Sequence, residues 1–471
     1  MNMKELTDIK FGTDGWRAIT DETFNEENVN LVINSIGKYI FETYGIEKPV
    51  LIGYDPRNKA DVFSKSAAKT LSEYGFDVYY SSRVVPTPVL AYAAKYQNAC
   101  AVMFTASHNP PEYLGIKFIP DYAGPASSEI TDKIMSNLGK SYSPNVKPKE
   151  YKTVDFSEKY FEHIEELIDF YAIRKMNKNI IFDGLYSATI GYFDKLLERN
   201  GIRYEALRMV HDPNFGGGMP EPKPKYLKEL IGKIKLSVNA AGCANDGDGD
   251  RFGFINEEGE YVTPNEIIGI LLLHLVKNKK ITGALVKTVA ASMMLDITAE
   301  KLGVDVIETP VGFKHVGEAM RFNDCIIGGE ESGGLSIKGH IPEKDGILAN
   351  LLILEAMAYF KKPVIELQKD LRGFVGCEFY NDRVDFKLET LSQVEETLNK
   401  FKQITESGGM SAEKIDYKDG VRIFFGRTNR VLARPSGTEP LMRIYFESGS
   451  EEILKNLKCD ILDTVFGGCA R

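Results

Sequence analysis

The 471-residue sequence predicts an α/β protein made of three related α/β units and a smaller α+β unit at the carboxyl end. Short apolar runs alternate with helical patterns and glycine breaks, which is typical of βαβ units with parallel sheets. The same order of runs occurs three times in roughly the first 330 residues. The last segment, of about 100 residues, has a different pattern of short strands.

The first unit ends in a polar loop that carries a single serine beside a histidine. Its predicted elements are a strand, a helix and two further strands, at residues 49–54, 60–74, 75–79 and 100–104. The last strand leads into Thr105-Ala-Ser-His-Asn-Pro110, so Ser107 and His108 occupy a position suited to a nucleophile. Alone, this loop is more typical of an ordinary turn or helix cap.

The second and third units repeat this order and also end in polar loops. In the second unit, the strands are at 179–182, 201–205 and 234–238, with a helix through Asn200. In the third unit, the strands are at 283–286, 303–307 and 325–327. The loops that follow are 246–250 and 328–334. Because open α/β sheets bind ligands beyond the carboxyl ends of their strands, we expect the three loops to face one cleft.

Domain boundaries are predicted where proline, lysine and serine cluster and where the pattern changes. Residues 140–149 form the clearest linker, a hairpin is expected over 251–262 with its turn at 256–259, and a third boundary lies near 363–371. The predicted domains are 1–148, 149–254, 255–369 and 370–471. Strands are expected in the last domain at 421–425, 431–433 and 441–446.

Composition narrows the class of protein. The net charge of −9 argues against a nucleic-acid or anionic-membrane surface. The strongest apolar run, 267–276, contains His274 and is far shorter than the ~20 residues of a membrane span. The amino terminus has no apolar signal core, and the six cysteines have no Cys-x-x-Cys spacing. We therefore expect a cytoplasmic enzyme with reduced thiols.

The segment Asp246-Gly-Asp-Gly-Asp250 is the strongest metal-site candidate. Three carboxylates on alternate residues, separated by glycines, offer oxygen ligands to one hard cation. An EF-hand loop is one alternative, but Arg251 stands where that loop needs glycine, and the flanks are predicted strands. A metal-free acidic turn is the other alternative, in which the three aspartates would repel one another.

Two further loops complement this chemistry. Arg434-Pro-Ser-Gly-Thr-Glu-Pro440, with Arg443 on the next strand, offers a guanidinium, hydroxyls and a close backbone approach to a phosphate group. Glu330 and Ser332 lie in a glycine-flanked loop rich in acceptors, which suits sugar hydroxyls. Each loop alone is also consistent with a solvated turn. A serine near a cation, together with a separate phosphate-binding loop, favours a reaction that moves a phosphoryl group between two ends of one substrate.

Taken in their order along the chain, these loops resemble the four signatures of the α-D-phosphohexomutase superfamily. The resemblance covers essentially the whole chain. The matching segments are the phosphoserine loop, the metal loop, the sugar loop and the phosphate loop, at 105–110, 246–251, 329–332 and 434–440. The resemblance implies three related α/β domains with mixed, mostly parallel sheets. It also implies a fourth, TATA-binding-protein-like α+β domain, with all four around a central cleft.

The resemblance also implies roles for individual residues. Ser107 would be carried as phosphoserine and, with Asp246, Asp248 and Asp250, would hold one Mg²⁺ per chain, with glucose 1,6-bisphosphate as activator. The remaining substrate contacts would come from Glu330, Ser332, Arg434, Ser436, Gly437, Thr438 and Arg443. The residues expected to neutralise charge or shuttle a proton are Arg17, Arg251, Lys117 and His108. His340 is expected to replace a histidine that related enzymes carry where this chain has Gly334.

The resemblance predicts a hexose phosphate substrate and leaves its identity open. The Glu330-Glu-Ser332 loop, together with residues 340–346, is similar to the phosphoglucomutase branch, whereas the phosphoglucosamine mutase branch tends to have glutamine where Glu331 stands. Phosphoglucomutase is therefore the first expectation. A dual-specificity phosphomannomutase/phosphoglucomutase is the main alternative, and phosphoglucosamine mutase is a less favoured one. A non-catalytic sugar-phosphate sensor and a phosphatase are rivals from other classes. The enzyme is expected to be a monomer or a homodimer.

Overall fold

The computed structural model describes residues 9–12, 14–140, 142, 146–436 and 440–468. The first domain is built on a seven-stranded sheet with the order β1-β2-β6-β5-β3-β4-β7. Strands β3, β4, β5 and β7 are parallel, and β1, β2 and β6 are antiparallel to their neighbours. The strands are β1 Phe11–Gly12, β2 Gly15–Ile19, β3 Val50–Tyr54, β4 Val78–Ser81, β5 Cys100–Phe104, β6 Tyr113–Ile119 and β7 Lys152–Val154. The helices are Glu26–Tyr44, Ala60–Glu73, Thr87–Tyr96 and Ser128–Ser136.

The second domain repeats this plan in a five-stranded sheet with the order β12-β11-β10-β8-β9. Its strands are β8 Asn179–Asp183, β9 Tyr204–Leu207, β10 Ala240–Asn245, β11 Phe252–Ile255 and β12 Tyr261–Val262. Its α-helices are Ser157–Leu167, Phe170–Met176, Phe193–Arg199 and Lys228–Leu236, and a 3₁₀ turn covers Phe215–Gly217.

The third domain has a four-stranded sheet with the order β14-β13-β15-β16. Its strands are β13 Ala284–Thr288, β14 Val306–Thr309, β15 Cys325–Gly329 and β16 Leu335–Ile337. Its helices are Pro264–Lys277, Met293–Leu302, Phe313–Phe322, Gly346–Phe360 and Val364–Val375. Asp345 caps the apolar helix Gly346–Phe360 by accepting from the Leu348 amide.

The fourth domain is an antiparallel sheet with the order β17-β23-β22-β21-β20 and a small β18-β19 hairpin. The strands are β17 Tyr380–Lys387, β18 Glu406–Ser407, β19 Met410–Ser411, β20 Lys414–Asp416, β21 Val421–Phe424, β22 Arg430–Pro435 and β23 Leu441–Ser448. The helices are Leu391–Lys402 and Glu451–Phe466. This domain has its own apolar core, whereas one continuous core joins the first three domains.

The predicted threefold repeat is confirmed, and its functional loops occupy equivalent places. Each of the first three sheets contains a central strand, two parallel neighbours and an antiparallel strand beside the third: β4-β3-β5-β6, β9-β8-β10-β11 and β14-β13-β15-β16. The loops with Ser107, Asp246 and Glu330 all follow the third parallel strand. The sheets are mixed because each of these loops returns as an antiparallel strand.

Several strands lie at positions other than those predicted, for identifiable reasons. The second strand of each unit begins three residues later than predicted, because Gly75, Gly201 and Gly303 adopt positive φ just after a helix. The predicted strand 234–238 was wrong. Leu230 and Ile234 instead form the buried face of a helix, and the strand is Ala240–Asn245, whose small residues gave little signal.

Two predicted domain boundaries fall inside secondary structure. The boundary after residue 254 cuts β11, although the predicted hairpin over 251–262 is present and belongs wholly to the second sheet. The boundary after residue 369 falls within the helix Val364–Val375. Among the described residues, no helix is both long and apolar enough to cross a membrane.

Candidate active site

A cleft of about 890 Å³ lies between the four domains. The described residues lining it include nine lysines and arginines but only six carboxylates, although the whole chain carries a net charge of −9. The lining cations are Arg17, Lys223, Arg251, Lys314, Lys344, Arg383, Arg430, Arg434 and Arg443. A cleft with this charge attracts small anions.

The Ser107 hydroxyl points at the acidic loop of the second domain. Ser107 has a φ of +51°, and its backbone N–H donates to Thr105 Oγ1 at 2.8 Å. Its Oγ donates to Asp246 Oδ2 at 2.7 Å. The left-handed backbone therefore turns a buried side chain toward a neighbouring domain, in the position predicted for a nucleophile.

Arg57 holds the serine loop in place, and sequence reasoning missed it. Its guanidinium reaches four backbone carbonyls of that loop: Ser107 (2.6 Å), Asn109 (2.7 Å), Pro110 (2.7 Å) and Tyr113 (3.0 Å). Asp55 pairs with Arg57 at 3.1 Å and accepts from Thr105 at 2.6 Å. Burial raises the pKa of Asp55 to about 6, with Arg57 opposing that shift. A polar Asp-Pro-Arg sequence directly after a predicted strand was the available signal.

Replacing Arg57 by lysine is expected to reduce turnover about 100-fold, because one ammonium group cannot bridge four carbonyls and small misplacements of a reacting group are costly. The check is a steady-state assay of the wild type and the variant, together with a measurement of their melting temperatures. Arg208→Lys is the matched control: Arg208 follows β9 and pairs with Asp183 at the end of β8, the strand equivalent to β3, and its side-chain bonds among the described residues go to Asp183 and Tyr226 rather than to the serine loop. Equal losses in both variants would contradict the role given to Arg57.

The predicted metal loop brings three buried carboxylates together. One oxygen from each of Asp246, Asp248 and Asp250 lies within 4.8 Å of the others. A Cβ on Gly247 would lie 2.6 Å from the Ser107 carbonyl oxygen, so glycine is needed where the two loops meet. The loop connects strands β10 and β11, which excludes the EF-hand alternative.

The loop has the chemistry of a divalent cation site. Asp248 Oδ1 and Asp250 Oδ1 are buried and have no hydrogen-bond partner among the described residues. Burial raises the pKa of Asp246 well above its usual value, and the neighbouring Asp248 and Asp250 charges add to the shift. A hard cation would satisfy these oxygens and offset their repulsion, so the donor set fits Mg²⁺.

Lys117 lies among the carboxylates of the metal loop and Asp14, a group of charged side chains called the acidic cluster below. Its Nζ is 2.8 Å from oxygens of Asp14, Asp248 and Asp250. Burial alone would lower its pKa, but these carboxylates raise it well above the usual value, so Lys117 is held as a cation.

Asp14 and Lys344 complete this cluster, and neither was predicted. Lys344 Nζ lies 3.2 Å from Asp250 and 3.5 Å from Asp14. Burial would raise the pKa of Asp14, but Lys117, Lys344 and Arg17 together lower it. The glycine-rich segment that contains Asp14 and Arg17 was the available signal.

The other predicted residues around Ser107 also line the cleft. His108 Nδ1 is 3.5 Å from Ser107 Oγ. Burial, with Arg251 and Arg17 nearby, lowers the pKa of His108 well below its usual value, so its ring is neutral. Arg17 donates to Asn109 at 2.9 Å. The Arg251 backbone N–H donates to Asp246 at 3.0 Å, and its side chain reaches the cleft.

The sugar loop presents carboxylates to the same cleft. Glu330 accepts from the Gly312 amide at 3.0 Å and from the Ser332 hydroxyl at 3.2 Å. Thr288 donates to Glu331 at 2.8 Å. Burial, followed by the charge of Glu331, raises the pKa of Glu330 to about 7.

The phosphate loop contributes arginines from the fourth domain. Arg434 and Arg443 are partners across β22 and β23, and both line the cleft. Arg434 Nε donates to Asp419 at 2.7 Å, and the Ser436 amide donates to the Leu441 carbonyl at 2.7 Å. Gly437 and Thr438 lie outside the described residues. Arg383 and Arg430 also line the cleft and were not predicted.

His340 is not placed where the sequence prediction required. It is absent from the described cleft lining, and its ring bonds to Asp345 and His163. The chain turns His340 away from the cleft because Asp345, five residues later, accepts from its Nε2 at 2.9 Å. The sugar contact expected of His340 therefore has no support in its position.

Family models match all four domains. The descriptions are phosphoglucomutase/phosphomannomutase alpha/beta/alpha domains I, II and III, over residues 8–144, 158–259 and 263–373, and the C-terminal domain of the same family, over 386–464. A solved structure described as a putative phosphomannomutase from Thermus thermophilus is 31% identical and superposes with a TM-score of 0.87, covering 98% of this chain and 99% of that one.

Curated relatives match over the same length. A probable phosphoglucosamine mutase from Methanopyrus kandleri is 31% identical over 460 residues, covering 97% of each chain. A phosphoglucomutase/phosphomannomutase from Thermococcus kodakarensis is 31% identical over 454 residues, covering 94% of this chain and 95% of the relative.

The fold and the site thus define a four-domain enzyme of the α-D-phosphohexomutase superfamily. Within it, the chain belongs to the phosphoglucomutase/phosphomannomutase family.

Proposed function

We propose that the protein moves a phosphoryl group reversibly between C1 and C6 of a hexose phosphate, converting glucose 1-phosphate to glucose 6-phosphate through phosphorylated Ser107. The observation that carries the proposal is the hydrogen bond of 2.7 Å from Ser107 Oγ to Asp246, next to His108, which lines the same cleft as arginines of the fourth domain. The residues around Ser107 would act on a phosphate at one end of the substrate, while the arginines hold a second phosphate at its other end.

The residues around Ser107 suit phosphoryl transfer. Asp246, Asp248 and Asp250 would hold Mg²⁺, which would neutralise charge on the transferring phosphoryl group. Arg17 and Arg251 face the same space and add positive charge. Lys117 and His108 are the candidates to shuttle the proton of the reacting hydroxyl, and their shifted pKa values keep Lys117 charged and the His108 ring neutral.

A bisphosphorylated sugar is the proposed intermediate, and it must present both ends to Ser107 in turn. The phosphate that is not reacting would bind Arg434, Ser436 and Arg443, together with Gly437 and Thr438 of the same loop. Glu330 and Ser332 would accept ring hydroxyls in both orientations, because both line the same cleft as Arg434 and Arg443.

Glucose phosphate is the first candidate substrate because the sugar loop offers two carboxylates as hydroxyl acceptors. Glucosamine phosphate is the second, because the Methanopyrus kandleri relative bears a phosphoglucosamine mutase name. Carboxylates would also accept from an ammonium group at C2. Mannose phosphate differs from glucose phosphate only at the C2 hydroxyl, so one hydrogen bond can decide between them.

The test is conversion of glucose 1-phosphate, mannose 1-phosphate and glucosamine 1-phosphate in parallel, with Mg²⁺ and a trace of glucose 1,6-bisphosphate as the proposed activator. Preferential conversion of glucose 1-phosphate supports the proposal, and comparable rates on mannose 1-phosphate would make the enzyme dual-specific. Faster conversion of the amino sugar would overturn the glucose assignment. Release of inorganic phosphate without isomerisation would instead indicate a phosphatase.

Substrate binding is expected to improve as the pH rises through about 7, because the Glu330 pKa is raised to about 7 and only its ionised form accepts from a hydroxyl with both oxygens. The check is kcat/KM between pH 6 and 8 for the wild type and Glu330→Gln. The substrate phosphate also titrates in this range, so the informative quantity is the difference between the two profiles. Parallel profiles would contradict the role of Glu330.

A further inference from the structure

A stack of three rings lies outside the cleft, where the first three domains meet. Tyr92 comes from the first domain, His163 from the second and His340 from the third. The ring centroids of Tyr92 and His163 are 4.4 Å apart, those of His163 and His340 are 5.1 Å apart, and the interplanar angles are 15° and 14°. The proposed function uses none of these rings.

Hydrogen bonds continue from the stack to Asp345. His163 Nε2 and His340 Nδ1 are 3.0 Å apart, and His340 Nε2 is 2.9 Å from Asp345 Oδ2. The Tyr160 hydroxyl donates to the same oxygen at 2.8 Å. Because a carboxylate only accepts, His340 Nε2 carries its proton toward Asp345. Asp345 is thereby held by two donors on one oxygen, while its other oxygen caps the Leu348 amide at 2.9 Å.

The residues on either side of Asp345 contact the acidic cluster. Lys344 Nζ reaches Asp250 at 3.2 Å, and the Gly346 amide donates to the Gly249 carbonyl at 3.0 Å. A Cβ on Gly346 would lie 2.2 Å from the Arg251 carbonyl oxygen, so this backbone is seated directly on the metal loop. Fixing Asp345 therefore fixes a segment that supports one side of the loop.

The other end of the stack leads to the same loop. Tyr92 lies on the helix Thr87–Tyr96, and Thr87, at the start of that helix, donates to Asp248 Oδ2 at 2.6 Å. The Thr87 amide also donates to the Asp248 carbonyl at 2.8 Å. The ring stack thus joins the two elements that hold the metal loop from opposite domains.

We propose that Tyr92, His163 and His340 form an interdomain clamp that positions the metal loop, with His340 and Tyr160 acting as positioning residues through Asp345. The role in catalysis rests on the proposed function, whereas the effect on cation binding does not. Residues that orient metal ligands from behind change metal affinity or activity by about 10- to 100-fold when replaced.

The test compares His340→Gln with His274→Gln in the full chain. His274 is a matched control because it is also buried and bonded through Nε2 to a carboxylate, Glu355, at 2.9 Å, but the other partners of that carboxylate are the Asp169 amide and Lys279, outside the metal loop. Four quantities are measured: the dissociation constant of Mn²⁺ by electron paramagnetic resonance, kcat and KM with glucose 1-phosphate, and the melting temperature.

The clamp predicts that His340→Gln weakens Mn²⁺ binding about 10-fold and lowers kcat about 10-fold with KM little changed. His274→Gln should lower the melting temperature while leaving Mn²⁺ binding and kcat within about twofold of the wild type. Equal effects in both variants, or a change in melting temperature alone, would overturn the proposal. Should the wild type lack mutase activity, the proposed function fails, but the Mn²⁺ comparison still decides on the clamp.

Tyr160→Phe provides the second variant if His340→Gln does not fold. It keeps the aromatic ring and removes only the hydroxyl that donates to Asp345. The clamp predicts weaker Mn²⁺ binding by about threefold to tenfold, since one of two donors to that carboxylate oxygen is lost. Unchanged Mn²⁺ binding in Tyr160→Phe would also contradict the proposal.

Discussion

Replacing Ser107 by alanine is expected to abolish phosphoryl transfer, with a fall in kcat of at least about 10⁴-fold, because no other group would carry the phosphoryl between the two ends of the sugar. The fold should persist, since the change removes one hydrogen bond, to Asp246, from a loop held by Arg57. The expected cost in stability is about 1 kcal/mol. The measurement is a coupled mutase assay, with intact mass spectrometry before and after incubation with glucose 1,6-bisphosphate.

Ser35→Ala is the control for this variant. Ser35 is also a buried hydroxyl, but it donates to the Leu31 carbonyl at 2.8 Å within the helix Glu26–Tyr44, remote from the serine and metal loops in the contacts of the described residues. It should retain activity and accept a phosphoryl group as the wild type does. A Ser107→Ala enzyme that kept a tenth of wild-type activity, or still gained a phosphoryl group in the mass spectrum, would show that Ser107 is not the carrier.

Replacing Asp246 by asparagine is expected to reduce activity at least about 10³-fold and, in the metal-free protein, to raise the melting temperature. The loss of activity follows because a neutral amide is a poor ligand for Mg²⁺ and the site loses one of its three charges. The gain in stability follows because burial and the Asp248 and Asp250 charges make an ionised Asp246 unfavourable, while an amide can still accept from the Ser107 hydroxyl.

The direction of the stability change follows from the raised pKa of Asp246. A carboxyl whose folded-state pKa lies above its usual 3.8 contributes stability below that usual value and loses it as the pH rises through the folded-state pKa. The contribution diminishes as the pH rises above 3.8, so at neutral pH Asp246→Asn should melt at a higher temperature than the metal-free wild type. The advantage should shrink as the pH falls toward 4.

Melting curves with and without Mg²⁺ test this prediction. Mg²⁺ should raise the melting temperature of the wild type and have much less effect on Asp246→Asn, because ligands that bind only the folded state stabilise it. Asp194→Asn is the control: burial also raises the pKa of Asp194, but it lies far along the chain from the acidic loop and accepts from the Gly191 amide. A metal-free Asp246→Asn protein less stable than the wild type would contradict the argument.

Some of the site was predictable because its signals are local. The loops after β5, β10 and β15 combine a strand end with unusual residue types, and each signal lies within about ten consecutive residues. Arg57, Asp14 and Lys344 were missed because their importance depends on distant partners. Arg57 donates to backbone carbonyls of residues 50 to 56 positions away, and Lys344 and Asp14 are separated by 330 residues. His340 was misassigned for the same reason, since its partner His163 is 177 residues away.

The repeated strand order, the chemical character of the four loops and the supply of acidic and basic groups were predictable from the sequence. Those properties depend on residue type and on the period of apolar positions along a continuous segment. The folded chain was needed to show which side chains meet: Lys117 enters the acidic cluster, Arg57 binds carbonyls of the serine loop, and His340 lies at a domain junction. Each of these contacts joins segments far apart in sequence, and strand pairing and domain packing decide which segments become neighbours.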